Sequence, residues 1–176
     1  MLIILDRDGV INYESPDYIK SADEWRPIPK SIAAIAKLKH DGHTVVIATN
    51  QSGIGRGFYT EIELNAMHQK LADLLANHDT KLDGIYYCPH HPDANCHCRK
   101  PKTGLLENIR RDFNYDLKNA WLVGDSKRDL EAGKAMGCKL ALVKTGNGPK
   151  TLLSDFDMAK VLIVDNLHQF SQHPDL

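Results

Sequence analysis

The sequence predicts an α/β fold: a doubly wound, Rossmann-like three-layer sandwich around a central, mostly parallel sheet. Three observations predict it. Six short apolar runs recur along the chain, continuous rather than alternating, as strands buried on both faces are. Helical patterns separate most of these runs. Chemically able polar residues stand where the runs stop, the place where an open parallel sheet puts its ligand site.

Taken in order, Leu2–Leu5 reads as the first strand, and Asp6 and Asp8 close it. Ser31 to His40, rich in Ala, Ile and Lys, reads as a helix stopped by Gly42. Thr44–Thr49 is the second strand, running into Asn50. In "TEIE", Thr60 and Glu63 have the spacing of a capping box. Behind that cap, Leu64, Met67, Leu71, Leu74, Leu75 and His78 recur every three or four residues, as a core stripe does. Gly84–Tyr87 is the third strand, and Leu105, Leu106, Ile109 and Phe113 mark the next helix. Ala120–Val123 is the fourth strand and leads to Asp125. Leu130 to Met136 is a helix that stops at Gly137, and Leu140–Val143 and Val161–Val164 complete the sheet.

The chain has 176 residues, enough for one domain, 1–176, with its own core. Its net charge of −1 carries no basic excess, which argues against nucleic acid as a partner. The longest apolar run near the start is too short for a signal peptide or a membrane span, so a cytoplasmic protein with no membrane partner is expected. Nothing in the sequence demands more than a monomer. Three of the four cysteines fall between residues 88 and 98, a clustering that points to metal before disulfide in a reducing compartment.

The strand-end residues suit phosphoryl transfer. Asp6 and Asp8, two apart on extended backbone, face the same way. A carboxylate such as Asp6 can attack phosphorus and form an aspartyl-phosphate. Asp8 can protonate the leaving alkoxide and then take a proton from water. Mg²⁺ held by Asp6, Asp8 and Asp125 would cancel charge as an anionic phosphate is attacked. Thr49 and Lys100 can hold the equatorial oxygens. Asp129 reads equally as metal support or helix cap.

The stretches that carry these residues, "DRDGV", "TNQ", "RKPKTG" and "GDSKRD", resemble the four motifs of the haloacid dehalogenase (HAD) superfamily of Mg²⁺-dependent aspartate phosphatases. The resemblance implies Asp6 as nucleophile, Asp8 as acid/base and Mg²⁺ ligand through its backbone carbonyl, Thr49 and Lys100 as phosphate holders, and Asp125 as metal ligand. Val10 stands where a threonine usually follows "DG". "TNQSGIGRGFYTE", "GIYYCPHHP", "CRKP" and "VKTGNG" resemble, more narrowly, the D-glycero-D-manno-heptose 1,7-bisphosphate 7-phosphatase family within the histidinol-phosphatase-like group. That resemblance implies a small phosphorylated sugar as substrate, Arg99 as a substrate contact, and a pocket lined by Thr49, Asn50, Gln51 and Ser52. Ser126 occupies a further substrate position, where such relatives often carry lysine; here Lys127 follows it.

"CPHHPDANCHC" supplies three thiols and an imidazole within eleven residues, Cys88, Cys96, Cys98 and one of His90, His91 or His97. That set suits a closed, tetrahedral and hence structural Zn²⁺ site. The resemblance selects His90. Fixing Cys98 would fix the direction of Arg99 and Lys100, which follow it directly. Asn12–Pro29 is too short and irregular for a cap domain, so loops Asn12–Trp25, Gln51–Tyr59 and the zinc loop, 88–98, should roof the pocket. Gly53, Gly55 and Gly57 read as flexible lining, with Arg56 either a second-phosphate contact or solvated surface. Histidinol-phosphate phosphatase is the nearest rival enzyme. A receiver-like phospho-switch is the rival of another class, and the second aspartate at position 8 argues for turnover over switching.

Overall fold

A computed structural model describes residues 1–176 and contains six strands: β1 (Leu2–Leu5), β2 (Thr44–Asn50), β3 (Gly84–Cys88), β4 (Trp121–Gly124), β5 (Lys139–Val143) and β6 (Val161–Val164). They form one sheet in the order β3-β2-β1-β4-β5-β6, and every pair is parallel. The helices are α1 (Ser31–His40), α2 (Ser52–Gly55), α3 (Glu61–Ala76), α4 (Gly104–Phe113), α5 (Lys127–Ala135), α6 (Gly148–Leu152) and α7 (Leu167–Phe170).

The continuous apolar runs have the expected cause. Along β1, Ile3 and Leu5 point into a core built with α1, α3 and α7, while Leu2 and Ile4 point into a second core built with α4 and α5. Successive side chains on a strand face opposite ways, so a strand covered on both faces needs apolar residues throughout. On α3 the stripe is Leu64, Met67, Leu71 and Leu75, and the capping box at Thr60 and Glu63 forms. His78 departs from expectation: the helix stops at Ala76, and His78 is exposed beyond it.

Register sets up the site. Leu5 pairs with Ile47 on one side and Val123 on the other, so β1 and β4 end within one residue of each other while β2 runs on to Asn50, all at the carboxyl edge of the sheet. The strand order reverses at β1, the switch point where such sheets open a crevice. No folded module is inserted above it: residues 6–30 contain no helix or strand pair, and residues 51–60 contain only the one-turn α2. No helix is long and apolar enough to cross a membrane.

Candidate active site

A cavity of about 390 Å³ opens at this end of the sheet, with Asp6, Asp8, Thr49, Lys100, Arg99 and Asp125 in its walls. Carboxylate oxygens of Asp6, Asp125 and Asp129 lie within 4.8 Å of one another. Lys100 is the cation among them. Its Nζ is 3.1 Å from Asp6 Oδ1 and 2.5 Å from Asp129 Oδ1, and it donates to the Ala48 carbonyl at 2.6 Å. Burial, then the Asp129 charge, outweigh Lys100 and push Asp6 up to about 7. Burial, Asp129 and Asp6 push Asp125 up to about 8. Three buried carboxylates against one lysine leave negative charge uncompensated, which suits a hard divalent cation with oxygen ligands.

Asp6 Oδ1 also accepts from the Arg7 amide at 2.8 Å, so its Oδ2 is the oxygen without a protein partner. The Asp8 side chain is not part of the acidic cluster. It turns to Arg7, whose Nη2 reaches both its oxygens at 2.9 and 3.1 Å, and accepts from Asn12 at 2.8 Å and Gln51 at 2.8 Å. Burial acts to raise its proton affinity, but Arg7, Asn12 and Gln51 prevail and hold it below the usual carboxylate range. The part of Asp8 left to a metal ion is thus its backbone carbonyl, which accepts no hydrogen bond from the protein.

Behind these groups lies a buried polar lattice of which only fragments show in the sequence. Gln51 donates to Asp8 and to Thr49 Oγ1 at 2.9 Å, and accepts from Arg7 and from the Tyr59 hydroxyl at 2.6 Å. Asn50 clamps the Lys100 main chain, donating to its carbonyl and accepting from its amide, both at 3.0 Å. Both amides, expected at the substrate, are therefore occupied in positioning Asp8, Thr49 and Lys100. The Ser126 hydroxyl is likewise engaged: with its own amide it donates to Asp129 Oδ2, at 2.6 and 3.0 Å. Asp129 is thus both helix cap and partner of Lys100. Ser52 lines the cavity, and Arg99 does so with its Nη1 buried and without a partner.

Asp125 is held from an unexpected quarter. Asn147, after β5, donates to its Oδ2 from the backbone at 2.7 Å and from the side chain at 3.1 Å, and also reaches Glu14 at 2.9 Å. Gly9 and Gly146, both with positive φ, close on the same carboxylate; a Cβ on either would stand 2.0 or 2.2 Å from Asp125 Oδ2. The "TGNG" after the fifth apolar run was the signal for this contact. The glycines at 53 and 55, by contrast, are not flexible lining. They belong to α2, and a Cβ on Gly53 would meet the Tyr59 ring at 2.1 Å, one on Gly55 the His91 amide at 2.2 Å. Only Gly57, with φ +75° and open space around it, fits the expectation.

The second cluster joins Cys88, His90, Cys96 and Cys98. Cys88 Sγ is 3.5 Å from His90 Nδ1 and 3.5 Å from Cys96 Sγ; His90 Nδ1 is 3.2 Å from Cys98 Sγ; the sulfurs of Cys96 and Cys98 are 3.6 Å apart. Donors around a tetrahedral zinc ion stand roughly 3.3–3.8 Å apart, so the set fits one. His91 instead caps the turn at Pro92, and His97 pairs with Glu107 at 2.8 Å. Burial and the neighbouring thiols push Cys88 up to about 12. Cys138 stands apart in the core.

Residues 97–170 match the family model for HAD-hydrolase-like proteins. The chain is 56% identical to a D-glycero-beta-D-manno-heptose-1,7-bisphosphate 7-phosphatase of Pseudomonas aeruginosa, covering 86% of this chain and 85% of that protein. It is 52% identical to the protein of the same name from Neisseria meningitidis serogroup A, over 86% and 81%. Its fold is similar to the D,D-heptose 1,7-bisphosphate phosphatase of B. bronchiseptica, solved with magnesium and phosphate: TM-score 0.94, 45% identity, 97% and 95% coverage.

Proposed function

Because the chain belongs to the D-glycero-beta-D-manno-heptose-1,7-bisphosphate 7-phosphatase family of HAD-like hydrolases, we propose that it removes the 7-phosphate of that sugar bisphosphate, leaving the heptose 1-phosphate. The β anomer follows the relatives' names. The observation that carries the reading is the convergence of Asp6, Thr49, Lys100 and Asp125 on one cavity from three strand ends and a loop.

Each residue has a task that its surroundings suit. Asp6 Oδ2, unpartnered, attacks phosphorus; the bond to the ester oxygen breaks and an aspartyl-phosphate forms. Asp8 gives its proton to the departing alkoxide. Arg7 and Gln51 keep it ionised in the free protein, so the proton it passes on is first taken up from the hydroxyl of a monoanionic phosphate ester as the substrate binds. Asp8 then takes a proton from the water that attacks phosphorus, freeing Asp6 and inorganic phosphate. Lys100 and Thr49 hold the non-bridging oxygens, and Arg99 contacts substrate beyond them. Asp6, the Asp8 carbonyl and Asp125 would hold Mg²⁺, which would supply charge neutralisation as the anionic phosphate is attacked. Cys88, His90, Cys96 and Cys98 would hold Zn²⁺ as a structural ion, since the protein offers it four donors.

We further take residues 1–176 as one domain acting as a cytoplasmic monomer, without nucleic acid or membrane as partner; the net charge of −1 supports the first exclusion. The test compares kcat/KM on heptose 1,7-bisphosphate and on histidinol phosphate, with and without Mg²⁺. Preference for the heptose, lost without Mg²⁺, is expected. Preference for histidinol phosphate would reassign the substrate and keep the mechanism, and phosphorylation of the intact protein without turnover would make it a switch.

A further inference from the structure

The cavity contains two cations that no carboxylate pairs with. Arg7 is paired with Asp8, and Lys100 with Asp6 and Asp129. Arg99 and Arg128 also line the cavity, and neither is in an ion pair or hydrogen bond with a carboxylate. Arg99 Nη1 is buried with no partner at all. A guanidinium nitrogen removed from water without an acceptor is costly, and native structures keep such a group where a ligand completes it.

The two guanidinium groups line one cavity, Arg99 half-buried and Arg128 exposed, and no carboxylate pairs with either. Glu14 lines the same cavity but accepts from Asn147 and pairs with neither arginine. Two like charges facing one space are relieved when an anion enters between them. The neighbouring Lys127 is excluded from this role. It pairs with Asp155 at 2.5 Å and Glu131 at 3.5 Å, in a separate surface groove. Ser126 is excluded as well, since its hydroxyl is given to Asp129.

We propose that Arg128, acting with Arg99, receives the second phosphate of the substrate, the one that is not cleaved, and that this residue sets the preference for a bisphosphorylated over a monophosphorylated sugar. The chemistry is that of a forked guanidinium for phosphate oxygens, which gives both charge and direction. The proposal rests on the phosphatase reading above and deepens it.

The experiment measures kcat/KM on heptose 1,7-bisphosphate and on heptose 7-phosphate for the Mg²⁺- and Zn²⁺-loaded wild type, Arg128→Ala, Arg128→Lys and Lys127→Ala. Arg128→Ala should lower the bisphosphate-to-monophosphate ratio by roughly tenfold to a hundredfold, mostly through KM. Arg128→Lys should recover part of that ratio, because charge returns without the fork. Lys127→Ala should keep the wild-type ratio. An unchanged ratio in Arg128→Ala, or a wild type that hydrolyses both sugars equally, overturns the proposal and leaves the phosphatase reading standing. A wild type active on neither sugar but active on histidinol phosphate overturns the substrate reading, and the proposal with it.

Discussion

Two clusters able to hold a metal sit at the same end of the sheet, and they are built in opposite ways. The acidic one draws Asp6, Asp125 and Asp129 from β1 and from the junction of β4 and α5, more than a hundred residues apart in the chain. The core beneath holds it: Leu5 and Val123, one residue or two before the acids, are fully buried and paired in register. The thiol one takes all four donors from Cys88 to Cys98, a stretch with only a short turn of its own. The first cluster is a place the fold makes and a cation then uses. In the second, a bound cation would replace the missing core. The difference should appear as a difference in what is lost when each is damaged.

The largest effect is expected at the acidic cluster, and it should be chemical. Asp6→Asn keeps the size of the side chain and removes the attacking oxygen, so kcat should fall below about one-thousandth of wild type. It also removes a charge from a crowded group, so the variant's melting temperature at pH 8 should equal or exceed that of wild type. A dead variant that is also unfolded would break the contrast.

Damage to the thiol cluster should spread by displacement. Cys98 precedes Arg99 and Lys100 directly, so Cys98→Ser should reduce bound zinc and lower kcat/KM by about a hundredfold, the cost of a misplacement near 1 Å. The far-UV circular dichroism should change little, since the sheet and its main helices are held by two buried apolar cores of their own. His97→Ala, which loses only the Glu107 pair, should keep its zinc, measured by metal analysis.

Gly146→Ala sharpens the comparison from the other side, because it disturbs the acidic cluster through backbone alone. With φ +57° and a Cβ 2.2 Å from Asp125 Oδ2, the alanine must push that carboxylate aside. The Mg²⁺ concentration for half-maximal activity should rise roughly 10–100-fold.

The smallest effect is on stability against pH. Unfolded, Asp6 and Asp125 release their protons near pH 4; folded without a divalent cation, they do so at about 7 and about 8. Between those limits the folded protein keeps protons that the unfolded chain has lost, so stability declines as pH rises from 4 to 8. The melting temperature in magnesium-free buffer should fall over that range, and added Mg²⁺ should restore it at pH 8 while doing little at pH 5.

The strands, the main helices and the residues at the strand ends were legible because each is encoded locally. An apolar run, a capping box or an aspartate closing a strand can be read without knowing its neighbours. Gln51, Asn50 and Ser126 could be singled out in the sequence and do line the cavity, but the partners of Gln51 and Asn50 could not, since those bonds reach Asp8 and Lys100 across the fold. Arg7 hid in plain view between two aspartates: nothing in "DRD" says that the arginine turns inward and grips the second acid. Asn147 and Arg128 depend on the closure of β5 against β4 and on which way the first turn of α5 faces. Gly53 and Gly55 misled because a glycine required for close packing has the same letter as one required for freedom.

The absence of a folded cap over the cavity has a consequence for how a substrate is caught. Without a module that swings shut, attraction must come from fixed charges: Arg99 and Arg128 in the cavity wall and the buried Lys100. Such attraction acts through water and is dulled by dissolved ions, its reach shrinking from about 30 Å at 0.01 M to about 8 Å at 0.15 M. Raising ionic strength should therefore weaken capture, seen as a falling kcat/KM, while groups already touching the phosphate carry kcat along almost unchanged.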